Sequence, residues 1–124
     1  MNTLTFFEGL INSKQSPIVI CDVDYRIIFM NTSAIEEYKR YGGKDMVGKH
    51  LTLFCNTETM TKVDMVIEWF KEEKVNNRIF AAHKKETNED IYIVAIRDEN
   101  ENLIGFTSVY ECRTPEKAEQ YEMD

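Results

Sequence analysis

The sequence predicts a single α+β domain, with helices packed on one mixed-order sheet. Three observations carry this expectation: two short β-branched runs stand near the start, three longer ones close the chain, and one clearly periodic helix lies between the groups. The length of 124 residues suits one domain rather than two independent cores. A chain of this size buries roughly two-thirds of its unfolded surface and needs no disulfide or metal staple. Hydrophobic residues at 43 % and charged residues at 30 % give a globular balance, and the longest apolar runs fall far short of a membrane span.

Taken in order, Thr5 to Asn12 reads as a short helix, with Thr5 and Glu8 at capping-box spacing and Leu4, Phe7 and Ile11 on one stripe beside Phe6 and Leu10. Ser16-Pro17 resets the backbone to extended. Ile18 to Cys21 and Arg26 to Met30 read as a hairpin about the turn from Asp22 to Tyr25. Asn31 then opens a helix in which Ala34, Tyr38 and Tyr41 share a face and Glu36 pairs with Arg40 four residues on. Gly42-Gly43 stops it. Lys44 to Thr61 has little periodicity and reads as short turns and loop. The next helix is the clearest, because Val63, Val66, Ile67 and Phe70 stand at i, i+3, i+4 and i+7, with Met65 and Trp69 widening the stripe. Arg78 to Lys84, Ile91 to Arg97 and Leu103 to Cys112 are the closing strands. The run Ile91 to Ile96 is apolar on both faces, so both faces need cover.

The charge of −7 argues against nucleic acid as a partner, since phosphate neutralisation needs Lys and Arg on one face. The last eleven residues hold one Lys and four acids and read as a solvated, flexible tail. No basic region precedes the apolar N-terminus, so no signal peptide is read there. Cysteines at 21, 55 and 112, without a Cys-x-x-Cys pair, read as free thiols in a reducing cytoplasm, and with two histidines they do not make a zinc set. Asp22 and Asp24 as an acid/base pair compete with the commoner role of such residues, holding their own turn. Cys55 with His50 would make a thiolate and its base, but no third orienting group stands out. His50 or His83 would serve a haem iron in an alternative reading. Gly42-Gly43 and Gly48 form no phosphate-cradling pattern. No enzyme motif survives. What remains is an apolar helix stripe facing an apolar sheet, with Met30, Tyr38 and Met65 as adaptable fillers, either an ordinary core or a ligand cavity.

Several local motifs occur in an order that resembles a Per-Arnt-Sim (PAS) sensor domain from about Ser16 to Cys112. They are Ile20-Cys21-Asp22 followed by Arg26-Ile27-Ile28-Phe29-Met30-Asn31, then Met46-Val47-Gly48-Lys49, and last the hairpin from Ile96 to Phe106. Tyr25 departs from the pattern, since the family often has Gly in that turn. The chain resembles small stand-alone bacterial PAS proteins, with a fragment of a larger sensor as the alternative, and the resemblance implies a five-stranded antiparallel sheet in order 2-1-5-4-3 with helices over one face. It also implies sensing or protein interaction rather than catalysis. Members that attach flavin use a Cys three residues after the Gly matching Gly48, where this chain has Leu51. Members with a coumaroyl chromophore use a Tyr and a Glu where this chain has Met30 and Ala34. Haem-binding members ligate from the long helix, and Lys62 to Lys74 contains no His. The resemblance therefore implies no cofactor.

The sequence reading is thus an N-terminal amphipathic helix (1–15), a PAS domain (16–113) and an acidic tail (114–124). Its function is a non-enzymatic sensor with an apolar pocket bordered by Met30, Ala34, Tyr38, Leu53, Cys55, Val66 and Phe70, acting on an unknown signalling protein without nucleic acid or membrane. An interaction module with no ligand is the other alternative. The N-terminal helix is the only spare apolar element for the outer sheet face, and Phe6, Phe7, Leu10 and Ile11 cover more than one contact requires. A homodimer through that helix and face is expected.

Overall fold

The computed structural model describes residues 1–123. Helix α1 (Thr3–Asn12) precedes strands β1 (Val19–Asp22) and β2 (Ile27–Met30), and helix α2 (Thr32–Glu37) follows at once. Three 3-10 turns, Lys39–Tyr41, Gly43–Met46 and Leu51–Leu53, lead to helix α3 (Thr57–Glu72), and strands β3 (Arg78–Lys84), β4 (Glu89–Arg97) and β5 (Leu103–Cys112) complete the chain. The strands form one antiparallel sheet in the order β2-β1-β5-β4-β3. Among the described residues no helix is long and apolar enough to cross a membrane.

Register sorts the side chains into two faces, because successive residues of a strand point opposite ways. Cys21 lies opposite Phe106, Ala95 opposite Phe106 on the other side, and Ile93 opposite Ser108. These residues face α2, the 3-10 turns and α3, where Cys21, Ile27, Met30, Ala34, Met46, Ile67, Phe70 and Phe106 make the buried core. Tyr92, Val94 and Ile96 occupy the opposite parity, so β4 is half-buried along its whole length, as its two apolar faces require. The β4–β5 register slips between Ile96 and Arg97, and on the other side of β5 Gly105 pairs with Asp22 of β1. A Cβ there would sit on the Cys21 carbonyl, so only glycine allows β1 and β5 to pair at that point.

Asn31 joins three elements. Its side-chain oxygen accepts from Ala34 N, capping α2, and from Ile18 N at the start of β1, both at 2.9 Å. Its amide nitrogen donates to Ile11 O and Ser16 O, both at 3.1 Å. At the far end of the sheet Arg97 reaches back to the last turn of α3, donating to Phe70 O at 2.6 Å, and to Asn76 O in the connection beyond it at 3.2 Å. It satisfies carbonyls that a helix end leaves open.

Several boundaries differ from the sequence expectation. Helix α1 starts two residues earlier, capped by Asn2 rather than Thr5: the Asn2 side chain accepts from Thr5 N. Helix α3 starts at Thr57, well before the apolar stripe, because Asn56 accepts from Thr59 N and caps a polar first turn. Glu36 pairs with Lys39 at 2.8 Å rather than with Arg40. Helix α2 ends at Glu37 and tightens to a 3-10 turn, which aligns positions three apart instead of four.

The expected cover of the outer sheet face by α1 is also corrected. None of its residues is buried, and Leu4, Phe6, Phe7 and Leu10 stay 58–63 % exposed. The helix is held only at its C-terminal end, where Ile11 O meets Asn31 and Asn12 Oδ1 accepts from Thr32 N. Asn31 and Thr32 follow β2, an edge strand, so this anchor lies at the sheet's margin rather than over its face.

Candidate functional site

A cavity of about 420 Å³ lies between the inner sheet face and the helical layer. Val19 and Cys21 of β1, Ile27 of β2, Ile93 of β4 and Phe106, Ser108 and Tyr110 of β5 line its floor. Met46, Leu51, Phe54 and Cys55 close it from the segment before α3, and Thr59 and Val63 of α3 and the Tyr38–Tyr41 turn complete the wall. That wall is placed by backbone bonds. Gly48 N donates to Ile27 O, Ile27 N to Lys49 O and Leu51 N to Tyr25 O, so residues 48–51 run along the free edge of β2. The 3-10 turn that follows directs Leu51 and Phe54 inward and leaves Leu53 outside.

Among the described residues no Asp, Glu, Lys, Arg or His lines this cavity. Its ionisable groups are thiols and phenols, and Cys21, Cys55 and Tyr110 among them are shifted upward. Burial, then the charges of Asp22 and Cys55, pushes the Cys21 thiol up to about 12, and burial likewise raises Cys55. Tyr110 is raised first by burial and then by the neighbouring Tyr38. A thiol nucleophile needs its pKa lowered, so Cys55 has the opposite environment from a catalytic cysteine. The imidazole of His50 is turned to Thr52, with Nδ1 2.8 Å from the hydroxyl, and packs edge-on against Tyr25. Asp22 holds its own turn, its carboxylate accepting from Asp24 N at 2.9 Å and from Arg26 N at 3.1 Å.

Of the seven residues expected to border a pocket, Tyr38 and Cys55 line the cavity. Met30, Ala34 and Phe70 lie instead in the solid core. Leu53 is 67 % exposed. Val66 packs partly on the core and otherwise faces a shallow groove with Lys62, Met65, Trp69 and Ile79 outside the cavity. Met65, expected as a core filler, is 68 % exposed in that groove. Neither histidine reaches the cavity, since His83 sits beside Asp90 at 3.0 Å on the outer parity of β3. A haem in this space would have no imidazole ligand from the chain. The residues missed were chiefly Ser108 and Tyr110. Their signal was present: Phe106, Ser108 and Tyr110 stand two apart, and the partly polar inner face of a strand is a cue to a cavity.

The turn between β1 and β2 brings Tyr25 over the same region. It holds a left-handed φ of 66°, which a glycine would adopt without strain. Its ring packs edge-on against Phe106 and its hydroxyl donates to Asp64 of α3. The departure from Gly at this position thus links the hairpin to α3.

The family model for the PAS domain matches residues 15–111. The chain belongs to the PAS domain family. Solved PAS domains have the same fold at low identity. The PAS domain of a Colwellia psychrerythraea protein superposes with a TM-score of 0.64 at 15 % identity, covering 90 % of this chain and 97 % of that one. The PAS domain of Bordetella pertussis BvgS gives 0.62 at 15 % identity, covering 90 % and 87 %. A C-terminal domain from Streptococcus mutans gives 0.68 at 18 % identity, covering 90 % and 85 %. No curated protein matches the sequence. PAS domains are typically sensory and signalling modules and generally non-catalytic, and this PAS domain carries its cavity on the inner face of the five-stranded sheet.

Proposed function

We propose that this PAS domain is a non-enzymatic sensor that binds a small apolar ligand in the core cavity and passes its occupancy to a signalling protein. The observation that carries the reading is the 420 Å³ cavity with no charged side chain in its lining, within the size range of small-molecule sites. Raised thiol pKa values and an Asp22 spent on its own turn speak for binding rather than catalysis. Three free thiols fit a reducing cytoplasm. Native mass spectrometry of the freshly purified chain tests the reading: an adduct lost on denaturation is expected. A ligand at 100 times its Kd stabilises by about 2.7 kcal/mol and raises the melting temperature accordingly. A bare protein mass, with no melting shift from any neutral apolar compound, would reduce the domain to an interaction module.

A second observation favours assembly into a homodimer. Leu4, Phe6, Phe7 and Leu10 of α1 lie exposed, and the outer sheet face adds Phe80 and Ile104. A second copy would cover both surfaces through Phe6, Phe7, Leu10 and Ile11. Burying each Phe or Leu contributes roughly 1.5–3 kcal/mol against the cost of association. Sedimentation equilibrium at tens of micromolar decides it, with dimer expected for the full chain and monomer for a Phe6→Glu/Phe7→Glu variant. A monomeric full chain sinks this part of the proposal.

A further inference from the structure

The cavity has two chemically different ends. Phe106, Ser108 and Tyr110 share the inner face of β5. At a strand rise of about 3.4 Å, Phe106 and Tyr110 stand roughly 14 Å apart. Around Phe106 the lining is apolar, from Cys21, Ile27, Met46, Leu51 and Phe54. Around Tyr110 it is hydroxylic: Ser108 is on the same strand face, and Tyr38 follows Glu37, whose carboxylate reaches Lys84 at 3.8 Å, the β3 residue paired through Glu89 with Cys112, two residues from Tyr110. Each phenol offers one proton and oxygen lone pairs to a third group.

Charge narrows the occupant further. A carboxylate or phosphate brought into this space would be desolvated without a counter-ion, because no Lys, Arg or His lines it. At the hydroxyl end the carboxylates of Glu37 and Glu89 already act on Tyr110. Glu37 is in turn shared with Lys84 at 3.8 Å, so no spare cation stands there for an anionic head group. An ammonium head would also be desolvated, with no carboxylate inside the cavity to meet it. By proportion to an apolar cavity of about 150 Å³ that takes benzene, this one accommodates a molecule on the order of 15 heavy atoms.

We infer that the ligand is uncharged and elongated, with an apolar body on Phe106 and one hydroxyl or carbonyl oxygen held by Tyr38 and Tyr110. This rests on the cavity reading of the previous section and adds the ligand's class and the two residues that select it. Isothermal titration calorimetry with three rigid probes tests it: biphenyl, 4-phenylphenol and biphenyl-4-carboxylate. The phenol is expected to bind the wild-type chain at least tenfold more tightly than the carboxylate and several-fold more tightly than biphenyl. Tyr110→Phe and Tyr38→Phe, each checked for a native circular-dichroism spectrum, are expected to remove the advantage of the phenol while leaving biphenyl affinity unchanged. Val63→Trp, which fills the cavity, is expected to abolish binding of all three. If the three probes bind equally, or if neither Tyr→Phe variant alters the ratio of phenol to biphenyl, the ligand class is wrong although the cavity reading stands. If no probe binds the wild-type chain, the cavity reading falls and this inference with it.

Discussion

Replacing Asn31 by Ala removes four hydrogen bonds from a side chain with no solvent exposure. Loss of an Asn N-cap costs about 1 kcal/mol. The Ile18 N–H at the head of β1 also loses its acceptor, and an unsatisfied buried group costs about 1–3 kcal/mol. The carbonyls of Ile11 and Ser16 lose a donor but have water as a substitute, so they add little. The expected total is about 3 kcal/mol, a large part of the 5–15 kcal/mol typical of a whole domain. For a chain of this length that lowers the melting temperature by roughly 12 °C, read by circular dichroism. Asn31→Asp separates the two halves of the amide. It keeps both accepted bonds but turns a carboxylate oxygen toward the Ile11 and Ser16 carbonyls. Burial and those carbonyls raise its folded-state pKa above the unfolded value near 3.9, so its protonated form is favoured in the native state. The deficit of this variant relative to wild type is then smallest below about pH 4 and grows as pH rises toward 7. An Asn31→Ala variant melting within 4 °C of wild type would refute the reasoning, because water would then be replacing all four bonds. A pH-independent deficit for Asn31→Asp would refute the account of the donors.

Gly105→Ala places a methyl group on the Cys21 carbonyl with backbone on both sides, so β1 and β5 must part locally. A loss of about 3 kcal/mol is expected in chemical denaturation, and a loss below about 1 kcal/mol would show that the strands yield. Acid lowers stability through Asp90 and Asp98. Arg113, then His83, depresses the Asp90 pKa, and backbone N–H donors, chiefly that of Asn102, depress Asp98. Their contribution is present above the unfolded carboxylate value near 4 and is lost as pH falls through the lower folded values, so Asp98→Asn should flatten the acid limb of a melting-temperature profile. Iodoacetamide at neutral pH should label exposed Cys112 first, Cys55 more slowly and Cys21 last, in line with burial and raised pKa, as peptide mass mapping would show. Faster labelling of Cys55 than of Cys112 would revive the thiol-enzyme reading.

Local patterns carried most of the architecture. The β-branched runs, the Asn31 cap and the stripe from Val63 to Phe70 depend on residues within a few positions of one another, and each became the element expected, whereas the helix opened by Asn31 ended at Glu37, short of the Gly42-Gly43 stop. The strand order does not follow from such patterns; it was legible only because motifs in sequence order resembled a known family. The start of α3 lay in plain view at Asn56 but was masked by a first turn with no apolar period. Tertiary structure alone decided the site. Met30, Ala34, Phe70 and Tyr38 are all apolar or aromatic on inward faces, and periodicity says only that each points inward. Whether an inward residue meets another side chain or an empty volume depends on how far the segment before α3 stands off the sheet. That distance is set by the backbone bonds of residues 48–51 to the edge of β2. The same holds for α1. Its composition showed that it needs cover, but only the anchor at Asn31 and Thr32 determined that the cover does not come from its own sheet. Burial within a helix or strand follows from its own period, whereas a cavity and an uncovered helix arise from the gaps between elements.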